Sequence, residues 1–415
     1  MKYSIVTFGC RVNQADSLGF EEELLASGAS AAAPDEADLV VVNTCSVTAS
    51  ADQGARQTIR RIARSNPHAR IVVTGCYATR QPADVASLPN VVRVIPNGGK
   101  VHLVADALTT AERFGEGDGS CGARIEPGIA GRTAFTLRVQ TGCAEACSYC
   151  IIPSTRGRPA SVPLADVLSQ VERVTDAGFK EIVLTGVHLG SYGRDLSPRS
   201  SLLELLMALA ALEKDALFRI SSLEPMDCSR QIVDLVASAG SFAPHFHLPL
   251  QHASNRILSA MDRPYTISYY SELVDHVRRR LPAASIGSDV IVGFPGETGD
   301  DFEELSAYLE SSPLTHLHVF PYSDRPGTRA AAMSGAVAGP MVRQRSAAIR
   351  AISQRLTARF NQDQIGTIRP GLTLEDGTLV VTDNYLKLRI GPGRCRNEWV
   401  RVRVVSDHDG ELLAG

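Results

Sequence analysis

Three cysteines in one short stretch have the spacing of a loop that binds a metal or a cluster. Cys143, Cys147 and Cys150 follow one another as C-x3-C-x2-C directly after a predicted strand. Thiolates select zinc or iron–sulfur clusters, and three thiolates leave one coordination position unfilled by the protein. An open position suits catalysis, whereas structural zinc sites are closed. The alternative, a zinc ribbon with a distant fourth ligand, is less favoured because no second C-x2-C or H-x3-H pair follows.

A second set of cysteines is spread over the first hundred residues. Cys10, Cys45 and Cys76 each follow a predicted strand, and they lie 35 and 31 residues apart. Because parallel strands end at the same edge of a sheet, these three side chains can meet there. Any one of them could instead be an ordinary buried cysteine. The other three cysteines have no partner at metal spacing, and the odd total of nine argues against a disulfide framework. They are Cys121, Cys228 and Cys395.

The pattern of helices and strands that must position these cysteines predicts an α/β protein with a small β domain at its end. Short Val- and Ile-rich runs alternate with helical patterns over the first hundred residues, which predicts an N-terminal doubly wound parallel sheet. Six further strand–helix units are too few for an eightfold barrel, so we expect a central partial (β/α)6 barrel. The last fifty residues have Gly and Pro turns between short apolar runs, and predict an antiparallel β domain. The predicted bounds are 1–113 for the N-terminal domain, 114–132 for a Gly-rich linker, 133–340 for the barrel, 341–362 for a connecting helix and 363–415 for the β domain.

The composition excludes several classes of protein. The 415 residues carry a net charge of −3, from 42 Lys plus Arg against 45 Asp plus Glu, so a basic coat over the whole surface is absent. No apolar run approaches the ~20 residues of a membrane-spanning helix. The polar residues Arg11, Asn13 and Gln14 come too early for a secretory leader. We therefore expect a cytoplasmic protein without a membrane partner, in a compartment that keeps thiols reduced.

Longer motifs around both sets of cysteines resemble the radical S-adenosylmethionine methylthiotransferases. The resemblance implies two [4Fe–4S] clusters and S-adenosyl-L-methionine as cofactors. Cys143, Cys147 and Cys150 would hold the catalytic cluster, which gives a 5′-deoxyadenosyl radical able to attack inert C–H bonds. The N-terminal cysteines would hold the second cluster, which supplies or carries the sulfur. The stretches that carry the resemblance are Phe8–Gln14, Asn43–Val47, Gly142–Arg158, Leu184–Gly193, Ser221–Pro225, His247–Gln251, Asp289–Glu297 and Phe320–Thr328.

The family resemblance also implies a substrate. Three classes are known in the family: prenylated adenosine in tRNA, threonylcarbamoyl adenosine in tRNA, and an aspartate of a ribosomal protein. Cys10–Gln14, Thr185–Gly193 and Thr382–Leu388 resemble the second type, which implies 2-methylthiolation of N6-threonylcarbamoyladenosine at position 37. The implied partners are the tRNA anticodon stem-loop and an electron donor. His252-Ala253 and Pro159-Ala160 depart from the family pattern near the expected active-site mouth.

Further residues are candidates for cofactor or substrate contacts. The end of a barrel strand is where such folds place their active sites, although a glycine there also serves ordinary turns. The candidates for cofactor contacts are Tyr149, Gly186, Ser221, Glu224, Gln251 and Gly293. Arginines are candidates for phosphate or carboxylate contacts, against the simpler interpretation of a solvated surface. These are Arg156 and Arg158 after the cluster loop, and Arg56, Arg60 and Arg64 along one predicted helix. The final domain resembles the RNA-contacting TRAM domain.

Two alternatives from other classes remain at this stage. A cobalamin-dependent radical methylase would also combine a doubly wound domain with the radical loop, but the three N-terminal cysteines argue against it. An RNA-binding iron–sulfur protein without catalysis is the other alternative. Cleavage of S-adenosylmethionine to 5′-deoxyadenosine would separate that protein from both enzymes.

Overall fold

The computed structural model of the protein describes residues 1–108, 126–128, 132–406 and 412–415. Most of the predicted Gly-rich linker, with Cys121, lies outside these residues. In the described part of the chain, no helix combines the length and the apolar character needed to cross a bilayer.

The N-terminal domain is a five-stranded, all-parallel sheet with the strand order β2-β1-β3-β4-β5. In sheets with such an order, strand ends near the switch point form the functional edge. The central strand is fully buried, whereas the last strand is an edge strand with Val92 60% exposed. Its strands are β1 Lys2–Thr7, β2 Ser30–Ala31, β3 Leu39–Thr44, β4 Arg70–Gly75 and β5 Val91–Ile95. Its helices are α1 Arg11–Ala26, α2 Ala49–Ser65, α3 Cys76–Arg80, α4 Pro82–Ala86 and α5 Leu103–Ala107.

The central domain is a partial barrel of six parallel strands. Two three-stranded sheets, β10-β9-β6 and β11-β12-β13, are joined by the bridges Phe218–Phe242 and Ser222–His247. The six strands are β6 Phe135–Arg138, β9 Glu181–Thr185, β10 Leu217–Ile220, β11 His245–His247, β12 Ser285–Val292 and β13 His316–Pro321. Between β6 and β9 in the chain, β7 Gln140–Thr141 pairs with β8 Ala160–Ser161 as a short ribbon beside the cluster loop. The helices are α6 Ile152–Arg156, α7 Leu164–Asp176, α8 Leu202–Ala210, α9 Arg230–Ser238, α10 Asn255–Ala260, α11 Ile267–Arg280 and α12 Gly299–Ser311.

The two faces of the barrel wall differ in chemistry. Along each strand the side chains alternate, and one set, such as Ile182 and Leu184, packs under the helices in the main core. The other set faces the lumen and is mostly polar, with a few apolar members such as Val183 and Ile291. Its polar members are Thr136 and Arg138 on β6, Glu181 and Thr185 on β9, Arg219 on β10, His245 and His247 on β11, Asp289 on β12, and His316 and His318 on β13. The inner wall of the barrel is therefore mostly hydrophilic.

The C-terminal domain is a closed five-stranded barrel with the order β14-β15-β16-β18-β17. It follows the long helix α13, Gly339–Gln364, which extends the predicted connecting helix by two residues at each end. The strands are β14 Ile368–Leu374, β15 Leu379–Thr382, β16 Lys387–Arg389, β17 Trp399–Ser406 and β18 Leu412–Ala414. The predicted purely antiparallel pattern is wrong in one pair, because β16 and β18 run parallel and close the barrel.

A buried ion cluster attaches the N-terminal domain to the barrel. Asp16 on α1 accepts from Lys100 Nζ at 2.6 Å, from Arg138 of β6 and from Arg156 of α6 at 3.4 Å. Burial alone would raise the pKa of Asp16, but the three cations outweigh it and hold that pKa below its usual value. The carboxylate is thus ionised, and it connects three separate segments of the chain.

Candidate active site

The C-x3-C-x2-C loop lies at the carboxyl end of β6, between β7 and α6. Each of its sulfur atoms accepts an N–H donor: Cys143 Sγ from the amide of Glu145 at 3.4 Å, Cys150 Sγ from the amide of Ile152 at 3.4 Å, and Cys147 Sγ from a guanidinium N–H at 3.2 Å. Such donors stabilise anionic sulfur and tune a bound cluster.

The protonation of these thiols depends on what binds them. Burial raises the pKa of Cys150 to about 12 and also raises that of Cys147, so these two free thiols stay protonated at neutral pH. Bound iron would stabilise their thiolate forms. Three cysteines on one short loop, each with a donor at its sulfur, therefore fit a cluster with one open iron.

Arg263 supplies the guanidinium donor and also pairs with Glu224, one of the predicted cofactor contacts. It stacks over Tyr265, with Cζ 5.0 Å from the ring centroid, and is nearly inaccessible. The sequence offered no signal for Arg263, because it is 116 residues from Cys147 and in no motif with it.

His188 is a second residue that the sequence analysis left without a role. Its Nε2 lies 2.7 Å from Asp227 Oδ2. Burial lowers the pKa of His188, but hydrogen bonds to Asp227 and Cys143 outweigh burial and raise it to about 10. The protonated ring of His188 is thus held beside Cys143, a predicted cluster ligand. Its place in the Thr185–Gly193 motif was the available signal.

The N-terminal cysteines lie near one another at the carboxyl edge of the sheet, and their role as cluster ligands stays a prediction. Burial raises the pKa of Cys45 to about 11, and the neighbouring sulfurs of Cys10 and Cys76 raise it further. Gly9 has a positive φ of 86°, and a Cβ built there would lie 2.7 Å from Cys45 Sγ. A side chain at this position would collide with the Cys45 sulfur.

Arg156 lies beside this N-terminal triad and not in the substrate path that the sequence suggested. Its side chain is 3% exposed and contacts Asn13 and Asp16 of α1. Burial lowers the pKa of Arg156, but the sulfurs of Cys76 and Cys10 together with Asp16 outweigh it and raise that pKa. Its Nε is buried with no hydrogen-bond partner. These contacts favour a role at the triad over a contact with phosphate.

The two triads therefore lie on opposite sides of one short helix. Cys150 precedes α6, and Arg156 at the end of α6 reaches Cys76 and Cys10. The five residues of α6 span only about 7.5 Å. From the N-terminal domain, Asn97 Nδ2 bridges the Thr155 carbonyl, at 2.8 Å, and Cys76 Sγ, at 3.7 Å. Two triads that are far apart in sequence thus lie close together in the fold.

The motif Phe320–Thr328 follows β13 and contacts the loop after Cys45. Arg325 Nη1 donates to Asp52 Oδ2 at 2.9 Å and Arg325 Nε to the Val47 carbonyl at 3.3 Å, while Ser323 Oγ accepts from the Ala49 amide at 3.1 Å. The barrel thus supports the N-terminal site from a second direction.

The other predicted cofactor residues border the open end of the barrel or the loops above it. Tyr149 is half-buried in the cluster loop, Gly186 lies against Gln140, and Ser221 Oγ is 3.4 Å from Thr185 Oγ1. Gln251 has a positive φ of 69° and bridges to β12. These cofactor contacts stay predictions.

Gly293 has a packing explanation in the structure. A Cβ built there would lie 2.6 Å from Val342 Cγ2 on α13, and the amide of Gly293 donates to Glu297 at 2.6 Å. Its cofactor contact also stays a prediction.

The predicted basic stripe on α2 divides into two kinds of residue. Arg56 donates to the Tyr77 hydroxyl at 3.0 Å and lies over that ring, so it is engaged within the domain. Arg60 and Arg64 are exposed, as is Arg158 after α6. On α13, Arg345 is buried against Glu297, while Arg343 and Arg350 are exposed. Exposed arginines are thus present on α2, after α6 and on α13.

Two family profiles match the chain, and each contains one triad. The uncharacterized protein family UPF0004 matches residues 2–96, and the radical SAM superfamily matches residues 137–309.

Curated relatives are similar over nearly the whole chain. The threonylcarbamoyladenosine tRNA methylthiotransferase MtaB of Aquifex aeolicus (strain VF5) is 36% identical over 399 residues, which cover 94% of this chain and 96% of the relative. The tRNA-2-methylthio-N(6)-dimethylallyladenosine synthase of Clavibacter michiganensis subsp. michiganensis (strain NCPPB 382) is 32% identical over 376 residues, 88% of this chain and 71% of the relative.

Among solved structures, the radical S-adenosylmethionine methyltransferase TsrM of Kitasatospora setae has a similar fold. The TM-score is 0.57 at 17% identity, over 80% of this chain and 75% of that chain. At this identity the likeness shows the fold alone.

Proposed function

The chain belongs to the radical S-adenosylmethionine methylthiotransferases, and from that premise we propose that it converts N6-threonylcarbamoyladenosine in tRNA to the 2-methylthio derivative. The proposed site is position 37, in the anticodon stem-loop. The observation that carries the proposal is the pair of open cysteine triads on either side of α6, since sulfur insertion needs a radical centre and a sulfur-bearing centre close together.

The proposed cofactors are S-adenosyl-L-methionine and two [4Fe–4S] clusters, one on each triad. When bound, they supply the electron, the radical, the methyl group and the sulfur. The chain's own residues hold and orient them. The donors to Cys143, Cys147 and Cys150 favour anionic sulfur, and Arg156 places a buried positive charge beside Cys10 and Cys76.

The polar lumen supports the threonylcarbamoyl substrate over a prenylated one. A prenyl group gains affinity by burial against apolar side chains, whereas the threonylcarbamoyl group carries a carboxylate, a hydroxyl and amide groups that need polar partners. The lumen offers four histidines, His245, His247, His316 and His318.

The test is conversion of purified tRNA that carries either modified adenosine, followed by mass spectrometry of the nucleosides. We expect 2-methylthio product from threonylcarbamoyladenosine and about eight irons per chain after anaerobic reconstitution. Cys147→Ser should abolish cleavage of S-adenosylmethionine. Cys45→Ser should leave about four irons and no methylthio product, and Cys395→Ser, at an exposed position away from both triads, is the control.

The outcomes separate the alternatives. Product from prenylated tRNA alone would overturn the proposed substrate but not the reaction. Turnover on a ribosomal protein and on neither tRNA would point to the aspartate-modifying type. Four irons in the wild-type protein would show that the N-terminal triad binds no cluster. No cleavage of S-adenosylmethionine would leave only an RNA-binding iron–sulfur protein.

A further inference from the structure

A cluster of possible metal ligands lies in the barrel lumen, apart from both cysteine triads. His247 on β11, Asp289 on β12 and His318 on β13 each offer one ligand atom, and the three atoms lie within 4.8 Å of one another. None of these residues was given a chemical role by the analysis of the motifs. Three adjacent strands supply them, so a rigid sheet holds their backbone positions.

The distances match the ligand spacing around a metal ion. His247 Nε2 lies 3.0 Å and His318 Nδ1 lies 3.1 Å from the same oxygen, Asp289 Oδ1. Two ligands at right angles around a cation, each bound at ~2.1 Å, are about 3.0 Å apart. The observed separations therefore suit adjacent positions on one ion.

The orientation of His247 points to the same conclusion. Its Nδ1 is held 3.1 Å from Ser222 Oγ, which turns Nε2 toward Asp289. Although Nε2 is close to the carboxylate, it is buried and lacks a directed hydrogen bond. A second partner on the far ring nitrogen is the usual way in which proteins orient a histidine ligand.

The space beside Asp289 is accessible to a ligand. The side chains are 13% exposed for His247, 24% for Asp289 and 56% for His318. One side of the cluster is thus open to solvent.

A third histidine, His316, closes the cluster on the sheet side. His316 lies beside His318, with ring centroids 5.7 Å apart, and its ring reaches over β12. A Cβ built on Gly287 would lie 2.3 Å from His316 Nε2, so the ring occupies the space that a larger residue would fill. The glycine lets the histidines pack together over the strand.

We propose that His247, Asp289 and His318 bind one divalent transition-metal ion in the barrel lumen, separate from the iron–sulfur clusters. Two imidazoles and one carboxylate form a ligand set that accepts Mn²⁺, Fe²⁺, Co²⁺ or Zn²⁺ and leaves positions open. The open positions face the lumen, where they can take oxygen ligands from water or from a bound substrate.

Manganese titration of the reconstituted holoenzyme tests the proposal. Free Mn²⁺ gives a six-line electron paramagnetic resonance signal that is lost on binding, and Mn²⁺ has little affinity for thiolates. We expect one saturable site per chain in addition to the cluster irons. Zn²⁺ should release the bound Mn²⁺, since imidazole sites prefer zinc.

Substitutions of the proposed ligands test which residues bind the ion. Asp289→Asn and His318→Ala should each weaken Mn²⁺ binding at least 10-fold. His276→Ala is the matched control, because its Nε2 lies 3.9 Å from Asp234 Oδ1 on the outside of the barrel. Iron content is measured in parallel. If Asp289→Asn fails to fold, His318→Ala decides, since that side chain is more than half exposed.

Two results would overturn the proposal. One is the absence of saturable Mn²⁺ binding to the wild-type protein, which would leave the cluster as a hydrogen-bonded network only. The other is binding that His318→Ala leaves unchanged, which would put the ion elsewhere.

Discussion

At the scale of single residues, the two triads differ in the donors and charges that surround their sulfur atoms. The catalytic triad has an N–H donor at each sulfur. The N-terminal triad instead has the buried cation Arg156 and a glycine where a side chain would intrude. The cysteine spacing predicted both sites, but only the tertiary contacts place Arg263 and Arg156 at them.

A methyl group at Gly9 tests the packing of the N-terminal triad. Gly9→Ala would place Cβ 2.7 Å from Cys45 Sγ and would strain a backbone with φ of 86°. We expect about four irons instead of eight after reconstitution, with the methylthio product lost. Iron analysis and nucleoside mass spectrometry measure the two effects.

Gly54→Ala is the matched control for that variant. Gly54 is helical on α2 and has no atom within 4 Å of a built Cβ, so alanine should raise stability by about 0.5–1 kcal/mol and keep eight irons. Full iron content in Gly9→Ala would contradict the placement of the triad.

At the scale of elements, helices and strands were recognised where their hydrophobic period was strong. In β9 and β12, Val- and Ile-rich runs flanked by polar turns define buried strands. The closure of the C-terminal barrel was the part of the fold that the sequence patterns predicted least well. The parallel pair β16–β18 depends on where two distant segments meet, which no local pattern encodes.

The exposed face of α2 yields a prediction about tRNA. Arg60→Glu with Arg64→Glu should weaken tRNA binding several-fold and flatten its salt dependence, because phosphate contacts release counterions. Arg56 is left in place since it bonds Tyr77. Affinity measured across a salt series gives both effects.

Arg230→Glu with Arg279→Glu is the control for the charge change. Both arginines are exposed, on α9 and α11 outside the barrel. An equal loss of affinity in the two double variants would mean that only net charge matters and would refute a contact through α2.

At the scale of the whole molecule, buried ion pairs between domains bring the two triads together. Asp16 binds Lys100, Arg138 and Arg156, and Asp52 binds Arg80 and Arg325. Tyr385 of the C-terminal barrel adds a third junction, where it bonds Arg11 and stacks on Arg219. The reaction region is thus a property of the assembled domains.

Removal of the Asp16 charge tests this assembly. Asp16→Asn leaves three cations without their partner, and loss of one member of a buried pair costs about 3–5 kcal/mol. We expect a lower unfolding temperature and weaker retention of the N-terminal irons. Asp35→Asn, an exposed position in the same domain, is the control.

The pH dependence of this effect follows from the lowered pKa of Asp16. A carboxyl group whose folded pKa is depressed stabilises the protein above its unfolded pKa, and this contribution is lost as the pH falls through the folded pKa. The difference in unfolding temperature between wild type and Asp16→Asn should therefore be constant from pH 8 to about pH 5. A difference that shrinks within that range would show that Asp16 is not held ionised by the three cations.

The sequence by itself determined the reaction type and the three-part fold of this protein. Cysteine motifs and strand periodicity are local, so six candidate ligands and most strands could be predicted from short stretches of sequence. Only the tertiary structure decided which side chains surround those ligands. Arg156, predicted to contact substrate, lies beside Cys76 in the structure. Three lumen residues from separate strands come together as a set of possible metal ligands. Such contacts join residues that are tens to hundreds of positions apart, and their geometry exists only once the domains have packed.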